Sequence, residues 1–301
     1  MDIKKILVVI EPDAEQQPAL AKARTVASSA GAELELLLAD FNPFLEDGFY
    51  FDPPQARKLR YEHGEKRLSE LESLAEPLRS EGLKVSASTA WGNPPHKELV
   101  SRIGDFAPDL VIASTRHHNK VARLFLANED WELVRYCPAP LLLVKGKVDS
   151  RATAVIAAVD PNHAHDKPAA LDHKIIGAAR AMATLSDASV HLFHSAWVPP
   201  LSGVYPLVVN QEEESEKLFG LADRHEIAHD NCHSSNEQIT ESLPELVAEL
   251  KAGIVVMGAV SRSRFDRVLI GNTAEKLLDH LESDVLVIKP DEMPALSQYL
   301  L

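Results

Sequence analysis

The chain repeats itself. Residues 111–145 align with residues 255–289 at a constant offset of 144 and without a gap. Val111 falls on Val255, Arg123 on Arg267, Asn128 on Asn272, Leu133 on Leu277, Leu142 on Leu286 and Lys145 on Lys289. In each copy an apolar run (LVIAS, then IVVMG) leads through a long loop and a helical segment to a second apolar run (LLLVK, then VLVIK). The beginnings of the copies correspond as well. Residues 3–10 (IKKILVVI) and 153–159 (TAVIAAV) suit strands buried on both faces, and they end in Glu11-Pro12 and Asp160-Pro161. Each then enters an amphipathic helix. The first carries Leu20, Ala23, Val26, Ala27 and Ala30 before a capping Gly31, and the second carries Leu171, Ile175, Ala178, Ala179 and Met182. Further strands follow at Leu34–Leu38 and Val190–Phe193. Strands alternating with helices build βαβ units and a mostly parallel sheet. The expectation is therefore an α/β protein of two doubly wound, Rossmann-like domains with five-stranded sheets. They should span residues 1–147 and 152–290, with polar Gly146–Arg151 as linker and 291–301 as a tail.

Charge narrows the partners. A net charge of -14 without a basic stripe disfavours nucleic acid and anionic membranes, whose phosphates an acidic surface repels. No segment approaches twenty apolar residues, and Ile6–Ile10 is too short for a signal-peptide core. Two cysteines, Cys137 and Cys232, are too few for a disulfide framework and fit a reducing compartment. A soluble, cytoplasmic protein is expected.

In open α/β sheets, ligands sit beyond the carboxyl ends of the strands. In the second copy, Asp160 lies at such an end, and Gly258 opens the segment GAVSRSRFDRVLIGNT that runs to a helix start. Gly258 permits close backbone approach, and Gly271-Asn272-Thr273 would offer free N–H groups to a phosphate. Arg262, Arg264 and Arg267 add positive charge. Equally, Asn272-Thr-Ala-Glu275 is close to a capping box, so Asn272 also reads as a helix cap.

These residues, with GNTAEKLLDHLESDVLVIKP, resemble the universal stress protein family, and more narrowly its tandem, UspE-like members. ATP-binding members carry Gly, two residues, Gly, nine residues, Gly, then Ser or Thr. Here the matching positions are Gly258, Ser261, Gly271 and Asn272, so two of the four depart, and Thr273 supplies a hydroxyl one place later. The resemblance implies ATP or another adenine nucleotide, with Asp160 and Pro161 at the adenosine end and Ser261, Arg262, Gly271, Asn272 and Thr273 toward the phosphates. Mg2+ is a candidate companion ion. The resemblance also implies an intramolecular pseudo-dimer with strands 141–145 and 285–289 at the domain contact, and a homodimer is a further candidate. Trp91-Gly92-Asn93-Pro94 resembles the family's Gly-x-Pro turn, whose glycine the second copy lacks.

The first copy has diverged. Its loop, residues 114–128, contains no glycine, and Glu129 and Asp130 follow where a phosphate would sit. Glu11 replaces the strand-end Asp. This copy should not hold ATP in the family's manner; a structural role or another ligand, apolar or nucleotide-like, is open to it. The aromatic-rich connection 41–54 reads as a packed lid or interface.

Thirteen histidines raise two further readings. His225-Glu226-Ile227-Ala228-His229 matches HExxH, with His233 or Glu237 as further ligands, but the repeat places it at a helix end rather than inside a helix. His163, His165 and His194 are candidates for a non-catalytic Zn2+ site, and His229, Cys232 and His233 form another local cluster. His191 and His194, three apart on a strand, should face opposite sides. No nucleophile elbow, Walker loop or paired catalytic carboxylates occur, so at most weak ATP hydrolysis is expected. The reading that follows is a stress-response protein binding one nucleotide per chain. A ligand-free scaffold and a metal- or metabolite-binding stress protein are the alternatives.

Overall fold

Strand-forming runs of consecutive branched residues become a parallel sheet wherever helices cover both faces, and this chain does so twice. The computed structural model describes residues 1–46, 52–115, 128–146, 152–162, 169–197, 210–259 and 272–290, the side chains of 128–130, 169, 272 and 273 excepted. The first repeat runs β1 (Lys5–Val9), α1 (Pro18–Ala30), β2 (Glu33–Asp40), α2 (Pro53–Ser80), β3 (Val85–Trp91), α3 (Pro95–Phe106), β4 (Leu110–Ser114), α4 (Asn128–Tyr136) and β5 (Leu141–Val144). The second runs β6 (Ala154–Ala158), α5 (Ala169–Ser186), β7 (Ser189–Ser195), α6 (Gln211–Arg224), β8 (Cys232–Ser235), α7 (Ile239–Leu250), β9 (Ala252–Gly258), α8 (Asn272–His280) and β10 (Asp284–Ile288).

The chain forms two compact units. β1 to β4 with α1 to α4 make the first; the second begins at Leu142 and includes most of β5. In the first, β1 pairs in parallel with β2 and β4, and β2 with β3. In the second, β6 pairs in parallel with β7 and β9, β7 with β8, and β9 with β10. Both units thus place their first strand between the second and the fourth.

The expected elements form, with small shifts. α1 buries Ala19, Ala23, Val26 and Ala27; of the expected stripe Leu20 and Ala30 are only half-buried, since Ala19, not Leu20, lies one turn before Ala23 on the core-facing side. Gly31 adopts a φ of 66° and returns its N–H to Ala27, as a C-cap. Leu171, Ile175, Ala178, Ala179 and Met182 are all buried on α5. One charged residue interrupts the apolar β2. Glu35, 1% exposed, receives Arg102 Nε at 2.7 Å and Nη2 at 3.0 Å, so its burial is compensated by a bidentate guanidinium. Asp52 caps α2 by accepting from Gln55 N at 2.9 Å, and Pro53 and Pro54 open the helix, which runs for 28 residues. Among the described residues, no helix is long and apolar enough to cross a membrane.

Candidate functional site

In the second unit, the chain leaves β6 toward β7 on one side, and β9 lies on the other. Loops leaving two such neighbouring strands diverge and open a crevice at their carboxyl ends. Asp160 and Pro161 follow β6 at this point, Gly258 ends β9, and Asn272 and Thr273 begin α8. Three of the residues expected at this site, Ser261, Arg262 and Gly271, lie outside the described residues, as do His163 and His165.

The β6 end is held firmly. Val159 N donates to Phe193 O at 2.9 Å, and Asp160 N donates to Asp172 Oδ1 at 3.1 Å. Asn162, two residues on, donates through Nδ2 to Glu214 Oε2 and lies 3.5 Å from His194 Nε2. Both are buried. His194 Nδ1 lies 3.2 Å from Val159 O and Nε2 3.2 Å from Glu214 Oε2, so both ring nitrogens are engaged within the unit. Lys217 Nζ completes the cluster at 2.9 Å from Glu214 Oε1. Burial works to raise the Glu214 pKa, but the hydrogen bonds from Lys217, Asn162 and His194 prevail and hold it below the ordinary value.

Gly258 has a packing role that the sequence did not reveal. A Cβ there would lie 2.8 Å from Leu171 Cδ2 and 3.2 Å from Ile175 Cδ1. The absent side chain is what lets α5 carry large residues against β9. At the matching place in the first unit stands Ser114, whose Oγ accepts from Ala19 N at 3.0 Å, and the facing helix carries alanines, Ala19 and Ala23.

The first unit holds a counterpart of the Glu214 cluster with its charges inverted. Asp13, two residues after Glu11, corresponds to Asn162, two after Asp160. On α2 the buried residues include Arg67, Leu71 and Ala75; on α6 they include Glu214, Leu218 and Ala222, at the same spacing. Arg67 donates Nη1 to Asp13 Oδ1 at 2.8 Å, Nη2 to Asp13 Oδ2 at 2.9 Å, Nε to Asp40 Oδ2 at 3.0 Å and Nη1 to Glu70 Oε2 at 2.9 Å. These bonds, led by Asp13, raise the guanidinium's pKa further and hold the Asp13 carboxyl below its usual range. Glu70 follows Arg67 by three residues as Lys217 follows Glu214, so the ion pair is conserved in place and reversed in sign. Neither cluster was foreseen. The available signal was a charged residue inside an apolar helical stripe.

Among the described residues, the histidines do not assemble as a metal site. α6 ends at Arg224, His225 caps it, and Glu226 takes a φ of 53°, so the HExxH residues leave the helix instead of sharing one of its faces. His225 Nε2 lies 2.7 Å from His173 Nδ1, whereas His229 pairs with Asp223 at 2.8 Å and stacks on Phe219 at 4.3 Å. His191 Nδ1 lies 3.0 Å from His233 Nε2, apart from the partners of His194, in keeping with opposite faces. Burial, then the charge of His233, lowers the His191 pKa; burial also lowers that of His233. Burial and then His173 lower that of His225. Burial, then Asp223, pushes the Cys232 thiol up to about 11, which leaves it a poor thiolate ligand. Among the described residues, no group of three or more His, Cys, Asp or Glu side chains could hold a metal ion.

Comparison with known proteins agrees with this duplicated architecture. The sequence profile of the universal stress protein family matches residues 2–145 and again 154–289. Universal stress protein E of Escherichia coli K12 is 27% identical over 301 residues, covering 96% of this chain and 95% of that protein. The protein of the same name from Photorhabdus laumondii is 26% identical over 299 residues, with the same coverages. Among solved structures, a universal stress protein from Pseudomonas aeruginosa UCBPP-PA14 superposes with a TM-score of 0.75 at 29% identity, covering 99% of this chain and 96% of that one. One from Archaeoglobus fulgidus shares the fold, with a TM-score of 0.67 at 14% identity, over 94% of this chain and 98% of that one. With two family segments that account for nearly all of its length, the chain belongs to the universal stress protein family as a tandem, UspE-like member.

Proposed function

We propose that this stress-response protein binds one adenine nucleotide per chain, ATP or a close relative, in the β6/β9 crevice of its second repeat, and acts in the cytoplasm as a regulatory or protective nucleotide-binding protein. The observation that carries the reading is the juxtaposition of Asp160 and Gly258 at the carboxyl ends of two adjacent parallel strands, with α8 beginning beyond the loop from β9. A helix N-terminus favours phosphate, and an acidic strand end favours the hydroxyls and amino group of an adenosine. Asp160, Pro161 and Gly258 would line the adenosine side, and Ser261, Arg262, Gly271, Asn272 and Thr273 the phosphate side. The first repeat, with Glu11 and Ser114 at the matching places, would stay empty of nucleotide.

Equilibrium dialysis of the full chain with labelled ATP tests this. The expected outcome is saturation at one nucleotide per chain, with at least about tenfold weaker binding for Asp160→Ala, equivalent to about 1.4 kcal/mol. No saturable binding at millimolar ATP, or two sites per chain, would contradict it.

A further inference from the structure

The two units finish their sheets with unlike edge strands. β8, the outermost strand of the second, has four residues, and shortness protects an edge from pairing with another chain. β3, the outermost strand of the first, has seven, VSASTAW, with no charge, no proline and no break in its register with β2. Among the described residues, no strand pairs with its other side. Leu34 N donates to Lys84 O at 2.8 Å, so the alternate residues Val85, Ala87, Thr89 and Trp91 aim their backbone groups away from β2. Val85 O accepts from Arg79 Nε at 2.9 Å. Ala87, Thr89 and Trp91 form the rest of that outward row, and Thr89 is exposed.

The flank of α2 above this edge is self-complementary. Arg57, Tyr61, Gly64, Leu68 and Glu72 follow one another at steps of three or four residues and so share one side of the helix. Tyr61 and Gly64 line one concavity with Thr89, and Arg79, two turns beyond Glu72, reaches the outward carbonyl of Val85, so this side overhangs the edge. Tyr61 is 68% exposed there. Gly64 sits inside the 28-residue α2, although glycine weakens a helix relative to alanine. Its φ is not positive, and a Cβ built on it would meet nothing within 4 Å. Neither its backbone nor its described neighbours require a glycine, whereas the close approach of a second helix would. Reversing the stripe about Gly64 lays Arg57 on Glu72 and Tyr61 on Leu68, cation on anion and aromatic on aliphatic.

We propose that β3 pairs antiparallel with β3 of a second copy of this chain, about a two-fold axis at Thr89, in a homodimer whose α2 helices cross at Gly64. Ala87 then exchanges backbone hydrogen bonds with the partner's Trp91, and Thr89 with the partner's Thr89, which leaves Val85 O to Arg79. Since α2 packs across β2 and β3, the symmetry sets the two helices antiparallel and about 10 Å apart, the spacing of packed helices. Arg57 faces the partner's Glu72, and Tyr61 the partner's Leu68. The interface is isologous and closes at two copies.

Sedimentation equilibrium of the full chain tests the proposal. A dimer is expected at a concentration of about 50 μM, dissociating on dilution. Thr89→Lys and Thr89→Glu each set like charges face to face on the axis, and each should raise the dimer dissociation constant at least about tenfold. An equimolar mixture of the two variants should recover the dimer. Gly64→Gln, a better helix former that fills the crossing point, should also weaken the dimer at least about tenfold, with the far-ultraviolet circular dichroism unchanged. If the Thr89 variants do not fold, Gly64→Gln decides: a weakened dimer supports the interface, and an unchanged one overturns it. A monomer at every concentration, a dimer that folded Thr89→Lys leaves intact, or charge-reversed variants that do not re-associate when mixed each overturns the proposal.

Discussion

The two repeats place a polar cluster around a buried helical charge at the same point of the same fold and give that charge opposite signs. In the first, Arg67 is gripped by Asp13, Asp40 and Glu70; in the second, Glu214 is gripped by Asn162, His194 and Lys217. In both, the cluster ties the loop after the first strand to the helix after the second. The position demands a polar tie, and either sign supplies it provided the partners change together. The same exchange is seen at Ser114 and Gly258, where a larger strand residue faces small helix residues and a missing one faces large. Duplication thus preserved the architecture while freeing the crevices to differ.

This comparison can be broken most severely at Arg67. Arg67→Glu, which installs the second repeat's residue alone, sets four carboxylates against one another. It should cost the first unit about 3 kcal/mol, the low end for breaking a buried pair, since position 67 is buried while Asp13 and Glu70 face solvent. Hydrogen exchange on the full chain would show lost protection in residues 5–40 and 53–91, with residues 154–195 retaining theirs. Uniform loss in both units would mean that the clusters are not local.

Glu214→Gln keeps the shape and removes the charge. It should destabilise the second unit by about 2 kcal/mol, the scale of hydrogen bonds to a charged group, and loosen the backbone around Asp160. A denaturant midpoint unchanged from the parent would argue that the cluster is incidental. Gly258→Ser, the first repeat's residue in the second, should cost about 1 kcal/mol through crowding against Leu171, whose tip can yield part of the way. A calorimetric melt that does not fall would remove the packing role of Gly258.

Acidification should separate the units without any substitution. His191, His225 and His233, all in the second unit, have folded pKa values below the ordinary 6.5. The unfolded chain therefore binds more protons there, and the stability they contribute, full above pH 6.5, is lost as pH falls through the depressed values. The depressed groups of the first unit include Asp13 and Asp40, ordinarily at 3.8, whose contribution persists until the medium is more acidic still. Exchange protection measured at pH 7.5 and 5.5, corrected for intrinsic rates, should fall in the second unit and hold in the first. The opposite order would contradict this reading.

Much of the fold was legible because it depends on repetition and apolar runs. The offset of 144, the run IKKILVVI and the stripe Leu171, Ile175, Ala178, Ala179 and Met182 lie close to the observed β1 and α5. The sites were harder to read. A charge within a helical stripe, such as Arg67 or Glu214, ordinarily signals a solvated face, and only the fold shows the partners contributed from distant segments. The HExxH string was legible as a helix end from the repeat, and α6 does end at Arg224, directly before it.

The central claim is that two copies of one fold now have unlike crevices, with a nucleotide in the second alone. Hydrogen exchange of the full chain with and without saturating ATP tests it most directly. The account predicts new protection in residues 154–162 and 252–259 and none in residues 5–13 and 110–115. Protection in the first-repeat segments, or in neither pair, would contradict it.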